Sequence, residues 1–183
     1  MITIDISDTS VLDALDRFSR TGRDLRPVLE DIGEYMVMST KRRFATSTAP
    51  DGSKWAHNSD VTILRYLSAH RRKDGSSTSY NKKGGGLSQA GMKRLVGKKP
   101  LIGETGSLSS QISWQMDGNN GVQIGSPMQY AAAQQFGMER GYAGTDRRGR
   151  PLPWGDIPAR AFLGVSEQDA RDILDIVEEH LMP

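Results

Sequence analysis

The chain has 183 residues, of which 36% are hydrophobic and 25% charged, values that suit one globular domain of moderate core size. It contains no cysteine, which excludes disulfide frameworks, thiolate metal sites and cysteine nucleophiles. Its apolar runs are far shorter than the roughly 20 residues that a membrane-spanning helix needs, and the first residues lack the basic and apolar regions of a secretory signal. We therefore expect synthesis in a cytoplasm and no membrane association.

The formal net charge of +2 hides a segregation of charge along the chain. Residues 1–40 carry 4 basic and 8 acidic side chains, residues 41–100 carry 14 and 3, and residues 101–183 carry 6 and 11. The three segments thus have net charges of −4, +11 and −5, which sum to +2. A basic middle between acidic ends indicates contact with phosphates, contact with an acidic protein, or packing of one subunit's acidic face on another's basic face.

The first 44 residues predict a strand followed by two helices. Isoleucines alternate with polar residues over 2–6, the period of a half-buried edge strand. Apolar residues recur at helical spacing from Val11 to Phe18, before Gly22, and again from Asp24 to about Phe44. Pro27 is compatible with the second helix because it lies in the first turn, where a missing N–H costs nothing.

The next sixty residues predict a turn and then a long basic insertion. Residues 45–58 are rich in turn formers around Asp51 and Gly52, and Trp55 is expected to anchor this loop on the domain. Residues 70–100 are rich in glycine, serine and basic residues, with little to bury. We expect a mobile basic loop over about 70–100, because ordering such a segment alone is entropically unfavourable.

The remaining chain predicts a hairpin and two further helices. Apolar residues alternate from Ile112 to Met116 and again over 122–124, on either side of a strong turn cluster. Residues 128–136 read as a short helix that ends at Gly137 as a left-handed cap. Ser166 and Asp169 are spaced as a capping box before an apolar stripe. The whole predicts an α+β domain with an antiparallel sheet of about four strands and helices packed on one face.

No pattern indicates catalysis, a cofactor or a metal ion. The three histidines, His57, His70 and His180, lack helical metal-ligand spacing. The glycines at 84–86 followed by Lys93 do not have the spacing of a phosphate-binding loop. We therefore predict no catalytic, cofactor-binding or metal-binding residues, and a protein that is not an enzyme.

The basic residues of the middle segment and of a second loop over 141–153 are the candidate partner-facing surface. They could contact an acidic protein, which we favour, or solvate a loop, or contact the DNA backbone. With only Tyr80 interleaved they offer no stacking platform for bases. The predicted basic surface comprises Arg71, Arg72, Lys82, Lys83, Lys93, Arg94, Lys98, Lys99, Arg147, Arg148 and Arg150.

Several short blocks, in a fixed order over about 120 residues, resemble the phage virion morphogenesis family, the tail-completion proteins of Mu-like and related tailed phages. They are Arg43-Phe44, the turn from Pro50 to Trp55, Thr105 to Ile112, Val122 to Ser126, Tyr130-Ala131 with Gln135-Phe136-Gly137, and Ile157 to Gly164. Each block is a turn or the end of a strand or helix, and the order of the blocks carries the resemblance.

The resemblance implies a small α+β structural protein without catalysis or cofactor. It implies one tail-completion-like domain over 1–183 that forms a homo-oligomeric, hexameric ring at the head-proximal end of the tail and joins tail to head. Its expected partners are the tail tube protein and neck or connector proteins, with contact to packaged DNA as a further option. A head-side neck subunit and a small DNA-binding protein are the alternatives.

Within this resemblance, a set of residues is expected to build the scaffold. Asp51, Gly52 and Trp55 should fix a turn, and Tyr130 and Phe136 should pack a helix on the sheet before Gly137 ends it. The chain's approach to the last helix should be locked by Pro158, Arg160 and Phe162.

Overall fold

The computed structural model of the protein describes residues 9–72, 75–81, 85–103, 105–139, 141–142, 144, 147–149 and 156–182. Its helices are α1 (Thr9–Ser19), α2 (Arg26–Thr46), α3 (Asp60–Ala69), α4 (Gln89–Gly97), α5 (Ser107–Ser110), α6 (Ala131–Phe136) and α7 (Glu167–Leu181). Its strands are β1 (Ser113–Asp117) and β2 (Gly121–Gly125). The α+β class is confirmed, and no helix in these ranges is long and apolar enough to cross a bilayer.

One hydrophobic cluster joins α1, the first half of α2, and α7. Each helix contributes buried residues three or four positions apart, the spacing that places them on one face. Helix α7 begins with the predicted capping box, in which Ser166 and Asp169 each accept a hydrogen bond from the other's backbone N–H. The buried members are Val11, Ala14, Phe18, Val28, Ile32, Met36, Ala170, Ile173 and Val177.

A second cluster surrounds the C-terminal end of α2. It consists of Phe44, Trp55, Leu108, Ile112, Ala131, Phe162 and Leu163. Helix α2 therefore runs from one cluster into the other, and its 21 residues give it a length of about 30 Å. The predicted boundary of this helix near Phe44 is correct to within two residues.

The predicted β-hairpin is confirmed, whereas the described residues do not support a sheet of about four strands. β1 and β2 pair antiparallel, with Trp114 opposite Ile124, and within the described ranges they form a two-stranded sheet. The hairpin lies on α2 at Gly33, where a Cβ atom would be 2.7 Å from the Trp114 ring. The strand predicted over 2–6 lies outside the described residues. Residues 158–162 lie in no strand, and their backbone groups bond instead to the Gln134 carbonyl and to the side chains of Arg43 and Gln135.

The predicted turn before α3 is confirmed. The Asp51 carboxylate accepts hydrogen bonds from the Ser53 backbone N–H (2.9 Å) and hydroxyl (2.7 Å). These bonds hold the pKa of Asp51 below its usual value. Gly52 has a φ of +82°, which a residue with a side chain rarely adopts. Trp55 is buried, and its indole N–H donates to the Ala161 carbonyl (2.8 Å).

Helices α3 and α4 were not predicted, and α4 contradicts the long basic loop. Ser59 and Ser88 cap them: their hydroxyls accept from the backbone N–H groups three residues later, at 3.3 and 3.0 Å. Gly91 of α4 approaches the preceding segment so closely that a Cβ atom would lie 2.0 Å from the Ser79 carbonyl oxygen. The described residues over 70–100, hereafter the basic segment, therefore pack through their polar backbone. Apolar periodicity cannot reveal such a contact. The mobility of the basic segment stays a prediction.

Candidate functional site

The segment from Ile157 to Gly164 contacts the end of α2, the loop before α3, and α6. Phe162 is fully buried, with its ring centroid 5.4 Å from that of Phe44. Phe44 in turn meets Trp55 edge-on at 5.3 Å. Aromatic pairs at these distances favour such tilted geometries. Phe162 and Trp55, two of the predicted scaffold residues, therefore both pack on Phe44 or its neighbours in the second cluster.

Gln135 of α6 holds this segment by three hydrogen bonds. Its side-chain oxygen accepts from the backbone N–H groups of Phe162 (2.9 Å) and Leu163 (3.0 Å), and its amide donates to the Leu163 carbonyl (2.9 Å). The buried amide thus pairs with the backbone as a neighbouring strand would. This role of Gln135 was not predicted, and the available signal was its spacing of four from Ala131 on one face of α6.

Arg160, predicted to lock the approach to the last helix, joins the segment to the loop before α3 and to α6. Its guanidinium donates to the carbonyls of Ala56 and His57, both at 2.8 Å, and to the side-chain oxygen of Gln134 at 3.4 Å. All three acceptors are neutral. Arg160 is 7% exposed, and burial lowers the pKa of its guanidinium.

A second buried arginine, Arg43, is paired with a carboxylate. It donates to Asp169 and to the carbonyls of Phe162 (2.9 Å) and Gly164 (2.8 Å). It therefore joins the end of α2, the 157–164 segment and the start of α7. Burial lowers the pKa of Arg43, while the negative charge of Asp169 opposes that shift. Asp169 was predicted as a capping residue, but its ion pair with Arg43 was not predicted because the two residues are 126 positions apart.

Asp169 is the centre of this polar network. Burial raises the pKa of Asp169, but hydrogen bonds from Ser166 and Ser39 and the charge of Arg43 outweigh burial and hold that pKa below its usual value. Tyr35 donates toward Asp169 (3.1 Å) and Asp172. Burial and these two carboxylates raise the pKa of the Tyr35 hydroxyl, which stays protonated at neutral pH.

Two residues that were predicted to pack a helix on the sheet, Tyr130 and Phe136, lie at the surface. Tyr130 and Phe136 are 46% and 65% exposed, and Pro158 is exposed. The packing predicted for the two aromatic residues is wrong because Ala131 and Gln135 form the buried face of α6. Both rings are therefore available at the surface of the subunit.

Gly137 has the positive φ expected of the residue that ends α6, at +78°, but its ψ of 171° is extended. The left-handed cap is therefore wrong. Met138, which follows, pairs with Ile157 through two backbone hydrogen bonds of 2.9 and 2.7 Å. A Cβ atom on Gly137 would lie 2.9 Å from the Ile157 carbonyl oxygen, so glycine permits this close approach.

An open groove of about 730 Å³, hereafter the α3 groove, lies between α3 and the 156–160 segment. Val61 and Arg65 of α3 line one side, and Tyr130 and Pro158 line the other. Further lining residues are His57, Leu101, Ile102, Lys98, Asp156, Ile157 and Arg160. A neighbouring hollow that contains Phe136 shares Asp156, Ile157 and Pro158 with it, so the exposed aromatic residues border one continuous surface.

Several residues of the predicted basic surface bind their own chain. Arg72 donates to the carbonyl of Ser77 (2.8 Å), and Arg94 donates to the hydroxyls of Thr78 (3.0 Å) and Ser79 (3.2 Å). Arginines at these positions therefore organise the basic segment around its backbone, a role that the sequence analysis did not assign.

Two lysines of the same surface hold the ends of nearby elements. Lys99 donates to the Ala45 carbonyl (2.6 Å), at the C-terminal end of α2, where a positive charge complements the helix dipole. Lys98 donates to the Ile102 carbonyl and lies 4.7 Å from the centre of the Tyr66 ring.

The remaining basic residues divide into exposed and undescribed ones. Arg71, Lys93, Arg147 and Arg148 are exposed, whereas Lys82, Lys83 and Arg150 lie outside the described residues. Within the described ranges no cluster of histidine, aspartate and glutamate could hold a metal ion. His180 instead lies 2.8 Å from an Asp31 carboxylate oxygen.

Comparison with known proteins decides the family. The model of the phage virion morphogenesis family matches residues 6–78 and 86–182, which is most of the chain. The protein belongs to the phage virion morphogenesis family. The resemblance seen in the sequence blocks is confirmed, and the protein therefore has a role in the formation of a phage particle.

The chain is also similar to the Mu-like prophage FluMu G protein 2 of Haemophilus influenzae strain Rd, with 35% identity over 81 residues. The match covers 44% of this chain and 51% of that relative, so it spans about half of the relative's length. No solved structure matches the chain.

Proposed function

We propose that the protein is a non-enzymatic structural component of the virion that completes the tail. In this proposal it acts as a ring subunit at the head-proximal end of the tail and makes the joint with the head stable. Membership of the virion morphogenesis family supports a role in particle formation. The position in the tail follows from the resemblance to tail-completion proteins.

The single observation that supports a ring is that acidic and basic parts of the chain pack at opposite ends of α2. The acidic helices α1 and α7 pack on the first half of α2, and His180 of α7 reaches Asp31. The basic segment reaches the other end, where Lys99 holds Ala45. Asp31 and Ala45 are fourteen positions apart in α2, which corresponds to about 21 Å along the helix axis. Unlike surfaces at opposite ends of one subunit associate head to tail, and such contacts close into rings when the rotation allows.

Mass measurement of the purified protein tests the ring. We expect a closed oligomer whose population falls as salt rises, since exposed charge pairs are screened. The measurement is made at several concentrations and salt levels, with and without purified tail tubes. A monomer in every condition contradicts the ring.

Phage lysates test the place of action. Interruption of the gene should leave filled heads and separate tails with few joined particles, and a copy of the gene supplied in trans should restore joining. Labelled protein should be found on the isolated tails. Label on isolated heads would instead support the head-side neck subunit.

DNA binding by the isolated protein separates the remaining alternative. A DNA-binding role predicts affinity for duplex DNA that falls with salt by a slope near −0.9 per phosphate contacted. We expect weak binding, because Arg72, Arg94, Lys98 and Lys99 already donate to groups of their own chain. Tight, steeply salt-dependent binding with normal particle joining in lysates without the gene would overturn the proposed function.

A further inference from the structure

We propose that the α3 groove of one subunit receives the acidic face of a second copy of this chain. The acidic face is the surface formed by Asp13 and Asp16 of α1 with Leu174 and Glu178 of α7, together with the neighbouring Leu12. This inference rests on the proposed ring and specifies which two surfaces meet in it.

The α3 groove has the composition of an interface. Val61, Tyr130 and Pro158 are exposed on its walls, and Leu101 and Ile102 are partly buried within it. Exposed apolar residues grouped around one concave surface mark a place where a partner covers them. The apolar walls therefore favour a partner that brings apolar side chains of its own.

The charges of the groove favour an acidic partner. Among its described lining residues, Arg65, Lys98 and Arg160 stand against one carboxylate, that of Asp156. Arg160 is the important member because its hydrogen bonds within the described chain end on neutral oxygens, whereas the other buried arginine, Arg43, is paired with Asp169. A buried charge without a counter-charge is unfavourable, so a carboxylate brought to this groove by a partner would be stabilising.

The acidic face offers the matching chemistry on the same chain. It presents three carboxylates, those of Asp13, Asp16 and Glu178, beside the guanidinium of Arg17. Asp16 also forms an exposed ion pair with Arg20 at 2.7 Å, which contributes little in water, so Asp13 and Glu178 carry most of the negative charge of the face. Leu12, beside Asp13, is 51% exposed and has the size to enter the apolar part of the groove. The face therefore combines negative charge with an apolar side chain, as the groove combines positive charge with apolar walls.

The two surfaces lie on different parts of the molecule, which makes the contact head to tail. The acidic face belongs to the cluster around the first half of α2, whereas the groove borders the cluster at its C-terminal end. Each subunit would therefore use its groove on one side and its acidic face on the other. This arrangement leaves no surface unpaired in a closed ring.

A charge-swap experiment on the full chain tests the contact. One variant carries Arg65→Glu in the groove, and the other carries Asp13→Lys with Asp16→Lys on the acidic face. All three positions are exposed, so the folds should be retained, as thermal unfolding would verify. Lys93→Glu, an exposed change of equal charge on α4 outside the groove, is the matched control.

We expect each swapped variant alone to associate at least about tenfold more weakly than the wild type, because like charges then face each other. An equimolar mixture should recover the oligomer. In the mixture, the groove of the Arg65→Glu variant meets the lysine-bearing face of the other variant, and the unchanged groove and face also meet. The Lys93→Glu control should assemble as the wild type does.

The outcomes separate this inference from the proposed function. A wild-type ring that persists in both swapped variants, or two disrupted variants whose mixture does not recover, overturns the pairing of groove and face while leaving the ring in place. Equal disruption by Lys93→Glu also overturns it, since the basic segment at large would then be the contact. A wild-type protein that stays monomeric even with tail tubes overturns the ring itself.

Discussion

Replacement of Asp169 by Asn tests the polar network that joins α2, α7 and the 157–164 segment. Asp169 is 2% exposed and Arg43 6%, so the substitution leaves a buried guanidinium without its counter-charge. Removal of one member of a buried ion pair costs about 3–5 kcal/mol. The capping bond to Ser166 weakens as well, but it shares the same carboxylate and is not simply additive.

The loss should be visible in chemical and thermal unfolding. At neutral pH we expect the free energy of unfolding to fall by about 3–5 kcal/mol. The midpoint of thermal unfolding should fall by about 6–20 °C, given roughly 2–4 °C per kcal/mol for a chain of this size. Asp175→Asn, an exposed change of the same chemistry on the same helix, is the control and should stay within about 0.5 kcal/mol.

The pH dependence of the same variant supplies an independent check. The pKa of Asp169 is lower in the folded protein than in the unfolded chain, so its contribution to stability is present above the unfolded pKa of about 3.9. That contribution is lost as pH falls through the lower, folded pKa. The difference between wild type and Asp169→Asn should therefore shrink below about pH 4. A loss under about 1 kcal/mol at neutral pH, or a difference that does not change with pH, would refute the role of the ionised carboxylate.

Three further predictions follow from the packing. Gly91→Ala should lower the midpoint of thermal unfolding and loosen the basic segment, because the added Cβ atom would overlap the Ser79 carbonyl. Gly97→Ala in the same helix places its Cβ atom in open space, so its midpoint should be unchanged or slightly higher. Arg160→Ala leaves two backbone carbonyls without their donor, so the free energy of unfolding measured in urea should fall by about 2–3 kcal/mol. The exposed control Arg65→Ala should change that free energy by less than about 0.5 kcal/mol. Limited trypsin digestion should cut first within 70–91 in the free subunit and more slowly in the assembled one, and equal rates would contradict ordering on assembly.

The elements that could be predicted from the sequence are those with local signals. The stripe of α7 and its capping box lie within sixteen consecutive residues, and the β-hairpin is defined by alternation on both sides of one turn. Helices α3 and α4 have weaker apolar stripes, and their capping serines, Ser59 and Ser88, were the signals that the sequence analysis did not use. The basic composition around α4 led to the prediction of a loop. Helix α4 packs through Gly91 and the backbone of Ser79, and such a contact leaves no apolar pattern in the sequence.

The candidate site could be predicted only in part, because its contacts join distant positions. Trp55 and Phe162 were identified, but the bond from Trp55 to Ala161 spans 106 positions and the pair of Arg43 with Asp169 spans 126. Periodicity shows which residues share a face and not which face is buried. Tyr130 and Phe136 were therefore placed in the core, although the small Ala131 is what allows α6 to approach it.

The two buried arginines show how the same residue type serves two purposes in this molecule. Arg43 completes its charge balance within the chain, through Asp169, and so stabilises the subunit itself. Among the described residues, Arg160 donates to neutral oxygens, and it lies beside exposed apolar residues in the α3 groove. In the isolated subunit the hydrogen bonds of Arg160 offset part of the cost of burying a cation beside neutral acceptors. In the contact proposed above, the carboxylates of α1 and α7 of a second subunit would supply the counter-charge.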